Sequence, residues 1–292
     1  METLEKKSPD YVFIGDSMVE SRIDLATLER LTSARVALLW DGGSTSARWY
    51  LFLKNYLIPS GIKPKRVFLF FRDWSLSLPR HRLTGVYREG NERAMRPDDT
   101  LVQRFMDEQD GRDHKGLIGN FLNFAYPIQR RGMAVREAIT ERFVEYVSAG
   151  KHDRKKVVDD LEDTFALKQL REDLGADLPV LDEEDEPVFS SDPDASFLPH
   201  IIDVSTDADL PLVLVRVKRR PKADGVTAES PQLRQYLKDL REYLEKRGIP
   251  FYDETPAREI PVSWYADGDH ISPKRKAAYT ERFYRVLGRF FE

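Results

Sequence analysis

The chain has 292 residues, 41% of them hydrophobic, with no cysteine and a net charge of −4 at pH 7. The length allows one large domain or two small ones, and the lack of cysteine excludes disulfides, thiol catalysis and zinc–thiolate sites. The acidic balance argues against a general nucleic-acid-binding protein, because phosphate binding needs a basic field, and no apolar run reaches the length that spans a bilayer.

Strands and helices alternate in the first part of the chain. Strands are predicted at Tyr11–Ile14, Ala34–Trp40 and Arg66–Phe71, and the third is a near-continuous apolar run, typical of a strand that is buried on both faces of a parallel sheet. Apolar residues at helical spacing predict helices over Ile23–Thr32 and Ser46–Leu57. This order indicates a doubly wound α/β fold with right-handed crossovers.

The middle of the chain, from about residue 81 to residue 207, shows no long strand pattern. A helix start is predicted at Pro97-Asp98-Asp99, and amphipathic patterns predict helices over Met133–Val147 and Lys155–Leu174. The acidic, proline-punctuated stretch Asp182–Asp194 is interpreted as a solvated loop. A connection this long is usually functional or a subdomain. We therefore interpret the segment from about residue 81 to residue 207 as a helical insertion that covers part of the carboxyl edge of the sheet.

The α/β pattern then resumes. A fourth strand is predicted over Pro211–Val217, a helix from Ser230 to about Arg247, a short fifth strand over Pro250–Tyr252, and a last helix from about Ser272. The basic run Lys218–Lys222 follows the fourth strand and is interpreted as a solvated loop. A role facing an anionic substrate is the alternative for this run.

Gly15-Asp16-Ser17 follows the first strand and precedes a helix start at Met18–Arg22. A side chain at the carboxyl end of a buried parallel strand lies where open α/β sheets bind their ligands. Ser17 is therefore a candidate functional residue. The alternative is that Asp16 or Ser17 serves only as the N-cap of the helix, since both residue types start helices well.

His270 ends a short polar turn before the last helix, Asp267-Gly268-Asp269-His270. A neutral imidazole accepts a proton from a serine hydroxyl only if it is held in the right tautomer, which a carboxylate at its other nitrogen achieves. Asp267 can bend back to His270 across the glycine, and Asp269 is the competing partner, although adjacent side chains usually diverge. The alternative is a polar turn that caps the final helix. The other histidines are predicted at the surface: His81, His114, His152 and His200.

Ile14-Gly15-Asp16-Ser17 resembles the first block of the SGNH (GDSL-like) hydrolase superfamily, and Asp267–His270 resembles its last block, Asp-x-x-His. The resemblance implies a three-layer α/β/α sandwich with a flavodoxin-like parallel sheet of about five strands, in agreement with the strand pattern. It also implies that Ser17 is the nucleophile and His270 the general base and then acid, with Asp267 as the residue that orients His270.

The same resemblance implies an oxyanion hole built from the backbone N–H of Ser17, a glycine after the second strand and an asparagine after the third. The glycine corresponds to Gly42 or Gly43, with Gly43 preferred. The asparagine has no match, because Arg72 and Asp73 stand there. The guanidinium of Arg72 carries five donors and a permanent charge, so it can stabilise an oxyanion instead. The alternative for Arg72 is a salt bridge with Asp73 or another carboxylate.

These observations predict a serine-dependent acyl-ester hydrolase or O-acyltransferase that works through an acyl-Ser17 intermediate. The altered third block resembles that of SGNH-like proteins linked to bacterial surface polysaccharides, such as the alginate O-acetyltransferase-like proteins, which implies an O-acylated carbohydrate as substrate. The alternative is a non-catalytic SGNH-like module that binds a glycan or a protein. Residues 1–292 are expected to form one such domain, with a core at 8–80 and 208–292 and a helical insertion at about 81–207.

The expected partner is an acylated small molecule or carbohydrate, and neither a cofactor, a metal, nucleic acid nor membrane insertion is expected. The N-terminal segment Met1–Asp10 is polar and lacks the pattern of a secretory signal. As written, the chain is expected to be cytoplasmic; a piece cut from a membrane-anchored protein would be periplasmic or extracellular. Hydrolase and transferase share the first half-reaction, so both activities stay open, as does the oligomeric state.

Overall fold

A parallel β-sheet forms the centre of the computed structural model, which describes residues 8–77, 82–83, 85–113, 189, 196–221, 227, 229–266 and 268–291. Its five strands lie in the order β2-β1-β3-β4-β5, and every neighbouring pair is parallel. This is the flavodoxin-like order, so the predicted fold class is confirmed. The strands are β1 Tyr11–Gly15, β2 Val36–Trp40, β3 Arg66–Phe71, β4 Leu212–Arg216 and β5 Phe251–Asp253.

Eight α-helices accompany these strands in the described part of the chain. They are α1 Ser17–Arg22, α2 Leu25–Thr32, α3 Ser46–Leu51, α4 Gly85–Ala94, α5 Thr100–Asp113, α6 Leu198–Asp207, α7 Pro231–Lys246 and α8 Lys276–Leu287. The predicted helix Ser46–Leu57 is present, but its second half, Phe52–Leu57, has π-helical hydrogen bonding. Helices α4 and α6 were not predicted. The sequence of α4 contains two glycines and few apolar residues, so its helical periodicity is weak.

Helices cover both faces of the sheet. Successive residues of a strand point to opposite faces, and the strands carry apolar residues on both. Val12 and Ile14 of β1 belong to the apolar core that α3, α5, α6 and α7 cover. Tyr11 and Phe13 belong to the core that α1, α2 and α8 cover. Phe13 stacks on Phe68 with ring centroids 4.7 Å apart. The α/β/α sandwich is therefore held by two separate apolar cores, and each fully buried Phe in them stabilises the fold by about 1.5–3 kcal/mol.

The chain divides into two compact units. The first comprises Met1–Gln109 and Pro187–Glu292, and it contains all five strands. The second is Asp110–Glu186. The predicted helices at Met133–Val147 and Lys155–Leu174, and all of the acidic stretch Asp182–Asp194 except Phe189, lie outside the described residues. Among the helices that are described, none has the length and apolar composition of a membrane-spanning segment.

Candidate active site

Ser17 and His270 meet at the carboxyl end of β1. The Ser17 Oγ lies 2.9 Å from Nε2 of His270, across 253 residues of sequence. Helix α1 begins at Ser17, but its N-cap is Asp16, whose carboxylate accepts a hydrogen bond of 2.8 Å from the backbone N–H of Met18. Capping is thus performed by Asp16, and the Ser17 hydroxyl faces the imidazole.

Gly15 allows the tight turn from β1 into α1. A Cβ placed on Gly15 would lie 3.1 Å from Val19 and 3.2 Å from Phe70, closer than most side-chain contacts. A larger residue there would push α1 away from the sheet. Since Ser17 is the first residue of α1, that displacement would also move Ser17 relative to His270.

The backbone around His270 is fixed by a narrow loop. Tyr265 and Ile271 form an antiparallel bridge, and the N–H of Ala266 donates to the carbonyl of His270 at 2.9 Å. The fully buried Arg22 donates from Nη2 to the backbone carbonyl of Asp269 at 3.1 Å. Asp267 lies outside the described residues, so its role as the residue that orients His270 stays a prediction.

Asp269 holds this loop against the ends of the neighbouring strands. Its Oδ1 accepts a hydrogen bond from the backbone N–H of Arg220 at 2.8 Å, and its Oδ2 accepts one from Nη1 of Arg72 at 2.8 Å. Burial acts to raise the pKa of Asp269, but these two donors and the charges of Arg72 and Arg219 outweigh it and hold the pKa below its usual range. Both carboxylate oxygens face these donors, so Asp269 serves as a clamp for the loop.

Arg72 and Asp73 have separate partners at the end of β3. The alternative for Arg72, a salt bridge with Asp73 or another carboxylate, is present, and the carboxylate is that of Asp269; the role of Arg72 as an oxyanion donor stays a prediction. Asp73 has a left-handed backbone, with φ of 48°, and is buried. Its carboxylate accepts a 2.8 Å hydrogen bond from Nη2 of Arg216 and lies 3.1 Å from Nε of Arg219. Asp73 therefore joins β3 to β4 and the residues that follow β4.

The interpretation of Lys218–Lys222 as a solvated loop is wrong at its start. Lys218 is 3% exposed, and its Nζ donates to the backbone carbonyl of Ala257 at 2.6 Å. Burial lowers the pKa of Lys218, since a charged amine loses hydration there. Arg219 is more exposed but pairs with Asp73 and lies 3.7 Å from Asp269. These residues face carboxylates and carbonyls of their own chain, which a run of like charges in the sequence does not reveal.

The Gly42-Gly43 turn after β2 requires glycine at one of its two positions. Gly43 has φ of 69°, and a Cβ there would lie 2.6 Å from the ring of Tyr87. A Cβ on Gly42 would meet nothing within 4 Å. The Ser44 hydroxyl donates to the carbonyl of Gly15 at 3.1 Å, which ties the turn to the end of β1. This geometry accounts for glycine at position 43, while the role of either glycine as an oxyanion donor, with Gly43 preferred, stays a prediction.

Arg82 is a residue of this region that the sequence did not single out. Its Nη1 donates to the carbonyl of Gly43 at 2.6 Å, and its guanidinium lies 5.1 Å from the ring centroid of Tyr87. No periodic pattern or motif surrounds Arg82, so nothing in the sequence pointed to it.

Burial and the charges of three arginines influence the carboxyl group of Asp16 in opposite directions. Burial raises the pKa of its carboxyl. The hydrogen bond from Met18 and the positive charges of Arg72, Arg82 and Arg22 act in the opposite direction. Three guanidinium groups thus lie near enough to the residue before Ser17 to influence it.

A buried polar cluster lies beyond β5. Glu254 is fully buried, and its carboxylate accepts hydrogen bonds from the Tyr279 hydroxyl at 2.5 Å and from Nη1 of Arg282 at 2.9 Å. Tyr279 and Arg282 lie on α8, the helix that follows His270, so Glu254 ties that helix to the end of β5. Among the described residues, no group of three or more His, Asp or Glu side chains is arranged to hold a metal ion.

Comparisons with known proteins find similarity only to solved structures, at low sequence identity. No family profile and no curated protein matches the chain. It is similar to solved structures of a candidate acylhydrolase from Bacteroides fragilis, with 10% identity, coverage of 100% and 97% of the two chains and a TM-score of 0.43. It is also similar to a candidate lipolytic protein of the G-D-S-L family from Desulfitobacterium hafniense, with 10% identity, coverage of 95% and 98% and a TM-score of 0.42. A GDSL-like lipase from Bacteroides thetaiotaomicron has 10% identity, coverage of 97% and 90% and a TM-score of 0.42.

Proposed function

We propose that the chain is an SGNH-type serine enzyme that transfers acyl groups from esters, with Ser17 as nucleophile and His270 as general base. The observation that carries this proposal is the 2.9 Å approach of the Ser17 Oγ to Nε2 of His270 at the carboxyl end of a buried parallel strand. This distance is within the range for proton transfer between a nucleophile and its base. Because Asp16 caps α1, the cap does not account for Ser17.

In the first half-reaction, Nε2 of His270 accepts the hydroxyl proton while Oγ of Ser17 attacks the acyl carbonyl carbon. The resulting tetrahedral intermediate collapses as the bond from the acyl carbon to the ester oxygen breaks. The leaving alcohol takes the proton from His270, and the acyl group remains on Ser17. In the second half-reaction, His270 accepts a proton from the acceptor as the acceptor oxygen attacks the acyl carbon. The bond from the acyl carbon to Oγ of Ser17 then breaks, the acylated acceptor leaves, and His270 returns the proton to Oγ.

The negative charge that develops on the carbonyl oxygen needs hydrogen-bond donors. We assign this role to the backbone N–H groups of Ser17 and Gly43, with Gly42 as the alternative glycine. Arg72 is the candidate for the third donor: Nη1 is bound to Asp269, and its side chain is 32% exposed, which leaves other nitrogens for the substrate. Asp267 is assigned to the second imidazole nitrogen of His270, where it would favour the required tautomer.

The acceptor decides between the two activities. Water as acceptor makes the chain an esterase, and a sugar hydroxyl makes it an O-acyltransferase. We propose an O-acylated carbohydrate as the physiological substrate, because the third block resembles that of polysaccharide-linked SGNH-like proteins. The catalytic residues lie in the segments 8–80 and 208–292 that are proposed as the catalytic core, and the segment at about 81–207 is proposed as the insertion.

A fluorophosphonate probe tests the proposal directly. We expect the probe to label the wild-type chain at Ser17, and Ser17→Ala to abolish both labelling and the turnover of 4-nitrophenyl acetate. Ser21→Ala is the matched control, because Ser21 lies one turn further along α1 and its hydroxyl donates to the backbone carbonyl of Met18. That variant is expected to be labelled like the wild type.

His270→Gln should slow labelling without unfolding the chain, because the base is lost and the loop remains. A folded wild-type chain that neither reacts with the probe nor turns over the ester would reject the catalytic proposal. That outcome would favour the alternative of a glycan- or protein-binding module.

A further inference from the structure

Two arginine side chains at the carboxyl edge of the sheet each use one nitrogen atom for a hydrogen bond within the protein. Nη1 of Arg72 donates to Asp269 at 2.8 Å, and Nη1 of Arg82 donates to the carbonyl of Gly43 at 2.6 Å. Within the described ranges, Nε and Nη2 of both side chains have no hydrogen-bond partner. Both arginines are residues of intermediate exposure, and the Arg72 side chain is 32% exposed. Each arginine therefore keeps one edge of its guanidinium group for a ligand.

The unused edge is suited to a carboxylate. Nε and Nη2 lie side by side in the plane of the guanidinium group, and this pair donates two parallel hydrogen bonds to the two oxygens of a carboxylate. The ring of Tyr87 lies 5.1 Å from the Arg82 guanidinium, which restrains its orientation through a cation–π contact. A restrained guanidinium loses less freedom when it binds its ligand.

The two arginines lie near the ends of the strands that flank the strand before Ser17. In the sequence of strands β2-β1-β3, Arg82 contacts the turn after β2, Ser17 follows β1, and Arg72 follows β3. The charges of both arginines act on Asp16, the residue before Ser17. Asp16 itself uses its carboxylate to cap α1 and forms no ion pair with either arginine in the described part of the chain.

We propose that Arg82 binds a carboxylate group of the substrate, while Arg72 serves the oxyanion, so that the enzyme prefers acyl esters that carry a carboxylate. This inference rests on the proposed function and adds the substrate class to it. The basic run after β4 is the less suitable site for such a group, because Lys218 and Arg219 are already bound to Ala257 and Asp73.

Two pairs of esters test the proposal. In the first pair, 4-acetoxybenzoate is compared with neutral 4-acetoxybenzamide, which places the charge on the leaving alcohol. In the second, mono-4-nitrophenyl adipate is compared with 4-nitrophenyl hexanoate, which places it on the acyl group. We expect kcat/KM of the wild type to favour the charged member of at least one pair by about tenfold to a hundredfold, the value of a charge-assisted bidentate contact.

Arg82→Gln is expected to abolish that preference and Arg82→Lys to keep only part of it, since lysine retains the charge on a single nitrogen atom but not the planar bidentate edge. Arg88→Gln is the matched control. It removes the same charge from a neighbouring arginine on α4, which pairs with Glu92, and should leave the ratio unchanged. The wild-type ratio should also fall as salt is added, because ions screen partly exposed charges.

Equal loss of activity toward both members of a pair in Arg82→Gln and Arg82→Lys would show that Arg82 only braces the Gly43 turn, and would overturn the inference. The same holds if the wild type is active but shows no preference in either pair. In both cases the wild-type chain would still be labelled at Ser17 and would still turn over the neutral esters, so the proposed function would stand. An enzyme that turns over none of the four esters and is not labelled would overturn both.

Discussion

Replacing Asp269 by asparagine is expected to slow acyl transfer more than it weakens substrate binding. The side chain of Asp269 keeps the loop that carries His270 against the ends of β3 and β4 through Arg72 and the backbone of Arg220. Asparagine has the same shape, and its Oδ1 can still accept the Arg220 N–H. Its amide group would face the Arg72 guanidinium with donors on both sides, so the contact to Arg72 is lost.

The size of the effect follows from that one contact. A hydrogen bond between charged groups contributes about 1.5–3 kcal/mol. Since the Arg72 side chain is 32% exposed, solvent screening brings the expected loss of unfolding free energy to about 1–2 kcal/mol. Catalysis is more sensitive, because a misplacement of about 1 Å in a catalytic group can cost about a hundredfold in rate. We expect kcat to fall roughly tenfold to a hundredfold and KM to change little.

The assay combines kinetics with a double-mutant cycle. Rates with 4-nitrophenyl acetate and chemical unfolding curves are measured for Asp269→Asn, Arg72→Gln and the double variant. If the two side chains act through each other, the double variant is less impaired than the sum of the single changes predicts. Additive effects, or an Asp269→Asn variant with wild-type kcat, would refute the role of Asp269 as a positioning residue for His270.

The carboxylate of Asp269 should also make the stability of the chain depend on pH. The pKa of Asp269 in the folded chain lies below its unfolded value, which is about 3.9. Its contribution to stability is therefore complete above that value and is lost as the pH falls through the lowered pKa. The stability difference between wild type and Asp269→Asn should be constant at neutral pH and shrink in acid below about pH 3.9. A difference that grows on acidification would contradict the assignment.

Two further substitutions test the turn after β2 and the buried cluster beyond β5. Gly43→Ala should destabilise the chain by about 1–2 kcal/mol, because alanine is strained in the left-handed backbone of this residue. The 2.6 Å approach of the new Cβ to Tyr87 should add a further loss of stability and reduce activity. Gly42→Ala is the control, because its Cβ would meet no atom within 4 Å. Equal tolerance of both variants in thermal unfolding and ester hydrolysis would contradict this account. Glu254→Ala should lower the unfolding free energy by about 3–5 kcal/mol, because it removes the buried carboxylate of the nearly buried Arg282 and leaves it only the half-exposed Glu259. Unfolding in denaturant measures this loss, and a change below about 1 kcal/mol would show that the cluster contributes little.

The strands were predictable from local features, whereas the strand order and the Ser17–His270 pair were expected from the resemblance of two sequence blocks to a known superfamily. Each buried strand is a short apolar run, and the run Arg66–Phe71 matches β3 residue for residue. The pairing of Ser17 with His270 followed from two short blocks near opposite ends of the chain. Their meeting needed only the parallel sheet to bring the carboxyl ends of the strands to one edge.

The charged contacts around the site were not predictable in the same way. Asp269, Arg72 and Arg219 lie in three separate loops, and which cation meets which carboxylate depends on the final geometry of all three. Charged residues in loops carry no periodicity, so the sequence indicates their presence and not their partners. The left-handed backbone of Asp73, which allows its carboxylate to meet Arg216 and Arg219, has no sequence signal either.

Arg72 stands where the resembled superfamily has asparagine, and it needs a counterion at the carboxyl edge of the sheet. A neutral asparagine, as in the superfamily that the sequence resembles, needs no counterion. A guanidinium that is about two thirds buried does, because desolvation of an unpaired charge is costly. Asp269 supplies that counterion and, through the same carboxylate, holds the loop of His270. Asp269 thus neutralises Arg72. Arg82, beside the Gly43 turn, forms no ion pair with a carboxylate of the described residues. Charge discrimination between substrates should therefore depend more on Arg82 than on Arg72, whereas the rate of the chemical step should depend more on Arg72 and Asp269.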